Sequence, residues 1–395
     1  MSNAQPEKRV TRWLANLFLV QCSLLAVFAV AEVGARYYLM HALPEREFLK
    51  YASVDQLAAR GKAESQQHRK YAPHRYLGYF PAPNFSRGGE SHNALGYRGG
   101  EVQMPKPEGE FRIVCMGGST TYTEFVSDNT RTYPYLLEQE LRTRGSSRVT
   151  VVNAGFPGWS SWETLVDFEF RVLDLGPDLV IVLDSLNDWS ARAVWPPDAF
   201  RGDNSGYRAA RFSDVFVPPW YEHSTLVRML LIRLGYSQPH CRLDRSLDPH
   251  AATSYAQRFM DQVSTGAYPS GIFNDVGIDE MLRANSTEYF RRNLENVVSI
   301  AQTRGIATVL ATTPWSTAFE GEWVSSPLVQ ESLREQNHVI RSIASEQKVH
   351  LFDYASAFPA EKRYFLDGRH VTEEGARLQA KLFADYLVSA GLVPK

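Results

Sequence analysis

Residues 178–188 read Asp178-Leu179-Val180-Ile181-Val182-Leu183-Asp184-Ser185-Leu186-Asn187-Asp188, an apolar run that ends in a polar turn. A strand that is apolar at successive positions, rather than at alternate ones, is covered on both faces, the condition of a strand inside a parallel sheet. The same text recurs on either side. Arg112–Met116 and Val149–Val152 precede it as short apolar runs, and Ile306–Ala311 and Val349–Phe352 follow it. Helical patterns separate the runs. One spans Tyr133–Arg144; the next opens at Ser160 or Ser161, where Ser160 and Glu163 make a capping box. A third is capped by Asn285 with Glu288, buries Phe290, Leu294, Val297 and Ala301, and stops at Gly305. Two more cover Pro327–Glu346 and Thr372–Ala390. Alternating β and α units of this length predict an α/β domain with a five-stranded parallel sheet and helices on both faces. Right-handed crossovers then bring the C-terminal ends of the strands to one edge, where sites form.

The chain has 395 residues, 44% of them hydrophobic, enough to bury a full core. A formal net charge of −2 offers no basic excess to neutralise a phosphate backbone, so nucleic acid is not an expected partner. Three cysteines, Cys22, Cys115 and Cys241, give neither a disulfide framework nor a metal cluster. At the N-terminus, Lys8, Arg9 and Arg12 precede an apolar stretch from Trp13 to Ala31, long enough to cross the ~30 Å hydrocarbon core of a bilayer. The basic flank stays cytoplasmic by the positive-inside rule and the rest lies outside. Ala29-Val30-Ala31 also fits a signal-peptide cleavage site. The helical text runs on through Leu39 without a proline, which favours an uncleaved anchor.

The expected organisation is a cytoplasmic tip and transmembrane anchor over 1–40, a stalk and irregular pre-domain over 41–108, and the main domain over 109–395. An insertion at 190–284 interrupts that domain after the third strand. It is too long for an ordinary loop and reads as a lid or subdomain. Its apolar stretch Leu226–Leu234 is expected to pack on the core rather than on a membrane surface.

Chemistry gathers at the strand ends. The first strand ends Met116-Gly117-Gly118-Ser119-Thr120-Thr121, a serine on a tight turn whose following helical amides favour developing negative charge. The second ends Asn153-Ala154-Gly155-Phe156-Pro157-Gly158, where the Gly155 amide is a candidate oxyanion donor, and the third presents the Asn187 side chain to the same oxyanion. Phe365-Leu366-Asp367-Gly368-Arg369-His370 then precedes the last helix. An imidazole acting as a base needs a carboxylate on one ring nitrogen to fix its tautomer, and Asp367 and His370 share one loop. Each segment taken alone is also an ordinary turn. Together, in order on successive strands, they supply nucleophile, oxyanion donors and an acid–base pair.

In that order the chain resembles the SGNH (GDSL-like) hydrolases. The resemblance covers Phe111 to Leu392 apart from the insertion, and implies a flavodoxin-like three-layer α/β/α fold. It implies Ser119 as nucleophile, Gly155 and Asn187 as oxyanion residues with the Ser119 amide, and Asp367 and His370 as the Asp-x-x-His pair. Two positions depart from the family pattern: Gly118 stands where Asp is usual, and Ser185 where Gly is usual. The implied activity is a serine esterase acting on O-acyl esters, O-acetyl groups of a carbohydrate being the expected substrate. The alternatives are transfer of an acetyl group to an envelope or secreted polysaccharide, and an idle glycan-binding or scaffold module. No cofactor or metal is needed. Trp315, past the fourth strand, and Trp195, in the insertion, are candidates for lining the substrate site, although Trp195, Trp220 and Tyr221 equally fit a small local core.

Overall fold

The computed structural model describes residues 5–53, 56, 70–74, 77–194, 197, 200–203, 220–237, 278–320 and 322–394. The chain forms two compact units, one of Met1–Ala63 with Val215–Arg245 and one of Glu64–Asp214 with Ser246–Lys395.

The larger unit is built on five parallel strands: β1 (Phe111–Gly117), β2 (Val149–Gly155), β3 (Leu179–Leu183), β4 (Ala307–Ala311) and β5 (His350–Phe352). Their order across the sheet is β2-β1-β3-β4-β5, with Ile113 beside both Val151 and Leu179 in register. This is the doubly wound α/β order in which successive crossovers run outward from β1 in both directions, leaving a crevice between β1 and β3.

Period-two alternation divides the core. Val114 and Met116 of β1, Val152 of β2, and Val180 and Val182 of β3 point to one face. There they meet Phe168 and Val172, then Phe290, Leu294 and Val297 of the helix Glu288–Thr303, and Ile340 and Ile343 of Pro327–Gln347. Ile113, Cys115, Leu179, Ile181 and Val309 point to the other face. They pack on Leu137 and Leu141 of Tyr133–Thr143 and on Phe383 and Leu387 of Glu373–Ser389. The result is three layers, as expected from the unbroken apolar text of β3.

The caps separate local from distant control. Ser160 and Glu163 form the expected capping box, with the Ser160 amide donating to Glu163 at 2.8 Å. Asn285 does not cap the following helix, whose N-cap is Thr287. Its side-chain amide donates instead to the buried carbonyls of Arg192 and Val194, both at 2.7 Å.

Before β1, the antiparallel pair Tyr71–His74 and Gly78–Pro81 supports the loop after β2. Tyr79 is buried against Phe156, donates its hydroxyl to the Pro157 carbonyl at 3.0 Å, and shares a cluster with Tyr122 and Trp159. Burying a ring of this kind stabilises by roughly 1.5–3 kcal/mol.

The smaller unit carries the helix Gln5–His41, of which Arg12–His41 is long and apolar enough to cross a membrane. The stretch Leu226–Leu234, expected to pack on the core of the main domain, belongs instead to the smaller unit. It forms the helix Thr225–Arg233, whose Met229 and Ile232 pack with Leu39, Phe48 and Tyr51. Glu32 receives the Thr225 and Leu226 amides at 2.8 and 2.9 Å, satisfying the start of that helix.

Candidate active site

Ser119 opens the short helix Ser119–Tyr122 at the end of β1 and is almost fully buried. As the first helical residue its amide has no partner four residues back. His370 sits 251 residues later, yet its Nε2 lies 2.8 Å from Ser119 Oγ. Its Nδ1 lies 2.7 Å from Asp367 Oδ2. A carboxylate only accepts, so Nδ1 carries the ring proton and Nε2 presents its lone pair to the serine hydroxyl. The geometry thus brings together the three residues that the sequence placed at two separate strand ends.

The Asp367–His370 loop is defined largely by itself. Asp367 Oδ1 accepts the Arg369 amide at 3.1 Å and the His370 amide at 2.8 Å. Phe365 and Val371 bridge its base, and the Leu366 amide donates to the His370 carbonyl at 2.8 Å. Gly368 has φ 84°, and a Cβ there would lie 2.5 Å from the Ser316 carbonyl. The Ser316 amide in turn donates to the Gly368 carbonyl at 2.8 Å, pinning the loop to the segment after β4.

Charge follows from these bonds. Burial pushes the Asp367 carboxyl upward. The His370 ring hydrogen bond, the charges of His370 and Arg369 and the His370 amide outweigh it and hold the group far below its ordinary value. Burial lowers the His370 imidazole below its usual value, against the raising effect of its ring hydrogen bond to Asp367. The pair therefore rests as carboxylate and neutral imidazole, the state a general base requires.

Asn187 follows β3 and donates Nδ2 to the Trp159 carbonyl at 2.7 Å, which turns its amide across the β1–β3 crevice. A Cβ on residue 118 would lie 2.8 Å from Asn187 Nδ2 and 3.0 Å from the Trp159 carbonyl. Glycine before Ser119, where the family has aspartate, is thus matched to the close approach of these two groups.

The second-strand glycine is a correction. The Gly155 amide is not turned toward the site; it donates to Asn153 Oδ1 at 3.1 Å, because the asparagine side chain folds back on its own strand end. Three residues on, the Gly158 amide makes no hydrogen bond among the described residues, and Gly158 adjoins the Trp159 carbonyl that holds Asn187. The sequence contained the signal, a second glycine in Asn153–Gly158, without indicating which amide Asn153 would occupy.

Of the two tryptophans, Trp315 is half-buried against the cluster of Leu186, Trp189 and Val324, next to Asn187 in the chain through Leu186. Trp195 lies outside the described residues. Tyr221 belongs to the smaller unit, with its hydroxyl 3.2 Å from Ser237 Oγ.

Behind the crevice are three buried acids. Asp188 accepts the Ser161 amide at 3.1 Å and its hydroxyl at 2.6 Å, and Asn293 reaches the same hydroxyl at 3.1 Å. Burial, with the charge of Glu163 added, pushes Asp184 up to about 7. Burial and the neighbouring Asp184 raise Asp188 well above the carboxylate range. Among the described residues no group of three or more His, Cys, Asp or Glu side chains is arranged to hold a metal ion.

A doubly wound sheet with this crevice and these strand ends is the frame of an SGNH-type hydrolase. The chain belongs to the GDSL-like lipase/acylhydrolase family, whose family model matches residues 115–378. Among solved structures, a GDSL-like lipase from Bacteroides thetaiotaomicron is 16% identical, with 73% of this chain and 93% of that one covered and a TM-score of 0.41. A lipase/acylhydrolase from Enterococcus faecalis is 16% identical over 71% of this chain and 96% of that one, TM-score 0.41. An acetyl xylan esterase is 14% identical over 70% of this chain and 100% of that one, TM-score 0.41. No curated protein matches the chain by sequence.

Proposed function

We propose that the chain cleaves O-acyl esters, O-acetyl groups on a carbohydrate in particular, by a Ser119-His370-Asp367 triad and an acyl-enzyme. The observation that carries this is the continuous relay of 2.8 and 2.7 Å contacts from Ser119 Oγ through the imidazole to Asp367. His370 takes the Ser119 proton as Ser119 attacks the ester carbonyl, then delivers it to the departing alkoxide; water repeats the sequence to release the acid. The Ser119 and Gly158 amides with the Asn187 side chain receive the developing oxyanion. Gly158 takes the place in that set which the sequence assigned to Gly155. A small acyl group suits the close approach of Gly118, Asn187 and Trp159. A glycan acceptor in place of water would make the same site an acetyltransferase.

The helix Arg12–His41, with Lys8, Arg9 and Arg12 before or at its start, supports a single membrane anchor with the hydrolase outside the cytoplasm. Glu32 and Leu39 are built into the folded smaller unit, which supports retention of the helix rather than its removal as a signal.

Replacing Ser119 by Ala is expected to abolish turnover of an aryl acetate and labelling by a fluorophosphonate, with the melting profile kept. Full activity in that variant would discard the reading.

A further inference from the structure

The buried face of the helix Pro327–Gln347 is apolar at Val329, Leu333, Val339, Ile340 and Ile343, yet two adjacent amides, Gln336 and Asn337, are buried in it, 0% and 3% exposed. A buried amide destabilises a fold unless its polar groups are bonded. Both of these are, each to two backbone groups. Asn337 accepts the Thr313 amide at 2.9 Å and donates to the Thr313 carbonyl at 3.0 Å, just past β4. Gln336 lies between the Ser185 carbonyl and the Trp189 amide, just past β3. A carbonyl only accepts and a backbone amide only donates. Gln336 Nε2 therefore donates to Ser185 at 2.9 Å, and its Oε1 accepts from Trp189 at 2.8 Å.

Ser185 and Trp189 stand two residues to either side of Asn187. The same Ser185 carbonyl accepts the Asp188 amide at 3.0 Å and closes a turn. Within it Asn187, at φ −100° and ψ −15°, has the geometry of the third residue of a type I turn. Gln336 thus grips that turn at its closing carbonyl and at a first-turn amide of the helix Asp188–Ala191 that follows. The tip of Asn187 is held from elsewhere, by the Trp159 carbonyl at 2.7 Å. We propose that Gln336 is a positioning residue for the oxyanion site, holding the Ser185–Trp189 turn where the Asn187 side chain reaches the developing charge. The inference rests on the Ser119 hydrolase reading and adds to it the residue that sets the Asn187 donor. Such a donor serves only when placed to within about 0.5 Å beforehand. It acts on the transition state rather than on the bound ester, so the contribution of Gln336 falls on kcat.

The test is a double-mutant cycle on the full chain with an aryl acetate. It pairs Gln336→Met, which keeps the length and loses both bonds, with Asn187→Ala. Gln336→Met alone is expected to lower kcat roughly tenfold at unchanged KM, part of the ~10²–10³ that one lost oxyanion donor costs. In the Asn187→Ala background the same change is expected to cost less than about twofold, because the group it places is gone. Asn337→Ala, which breaks the same kind of brace on the neighbouring strand end, should cost the same factor in both backgrounds. Equal costs of Gln336→Met in both backgrounds make Gln336 a structural amide and overturn the proposal, as does a loss in KM alone. Gln336→Glu keeps the question open to measurement if the methionine variant does not fold. A neutral carboxyl there donates to Ser185 and accepts from Trp189, whereas a carboxylate opposes the Ser185 carbonyl. The kcat of Gln336→Glu relative to wild type is expected to fall as pH rises. Measured against Asn187→Ala, the double variant Gln336→Glu, Asn187→Ala should show no such fall, and a fall that persists there overturns the proposal. Failure of the hydrolase reading looks different: wild type then cleaves no acetate and Ser119 takes no fluorophosphonate.

Discussion

Asp367 and Asp184 are the same chemical group on the same edge of one sheet, and their carboxyls are shifted in opposite directions. Asp367 collects a ring N–H, two amides and a guanidinium, and those donors overcome its partial burial. Asp184 is 3% exposed, its Oδ2 has no hydrogen-bond partner among the described residues, and it lies near Glu163 and Asp188, so its carboxyl is pushed up to about 7. Depth alone does not decide ionisation; the number of donors that converge on the carboxyl does. The Asp367 carboxylate faces the imidazole. Asp184 lies behind the crevice, where Asp188 holds the start of the helix Ser161–Asp167.

That contrast breaks most sharply under substitution by the isosteric amide. Asp367→Asn is expected to lower kcat on an aryl acetate by about 10⁴, since the amide favours the wrong imidazole tautomer, while Asp184→Asn lowers it less than about tenfold. Equal losses would mean that both acids serve the imidazole. A smaller effect lies in the pH profile. Burial depresses His370 and the neutral ring is the active form, so kcat/KM is expected to be full above the ordinary imidazole value near 6.5 and to fall only below it. An acid limb centred above that value contradicts the geometry, and Asp184→Asn should leave the limb where it is.

The smallest effect is on stability. With a native value of about 7 against roughly 3.9 unfolded, Asp184 binds more proton in the native state between those limits. Its contribution to stability therefore declines as pH rises through that window. Asp184→Asn lacks the decline. Its melting temperature is expected to match wild type near pH 4 and to exceed it by a few degrees at pH 8, followed by thermal unfolding.

Much of this was legible in the chain because it is local. The apolar run of β3 carries its own two-sided burial, Ser160 and Glu163 cap within one turn, and Asp367 finds His370 three residues away. The strand ends, in order, placed Ser119, Asn187 and His370 on one edge. What escaped was decided by distant atoms. Asn285 has the composition of a cap but is drawn to carbonyls 91 and 93 residues away. Whether Gly155 or Gly158 keeps a free amide depends on which way the Asn153 side chain folds.

His370 and Asp367 share a four-residue turn, so a rigid drift of that turn would leave the imidazole and its carboxylate in step. Only their separation from the hydroxyl on the far side would change. Such a centre has a single gap to keep closed, and Ser316 and Gly368 are where the latch is fastened.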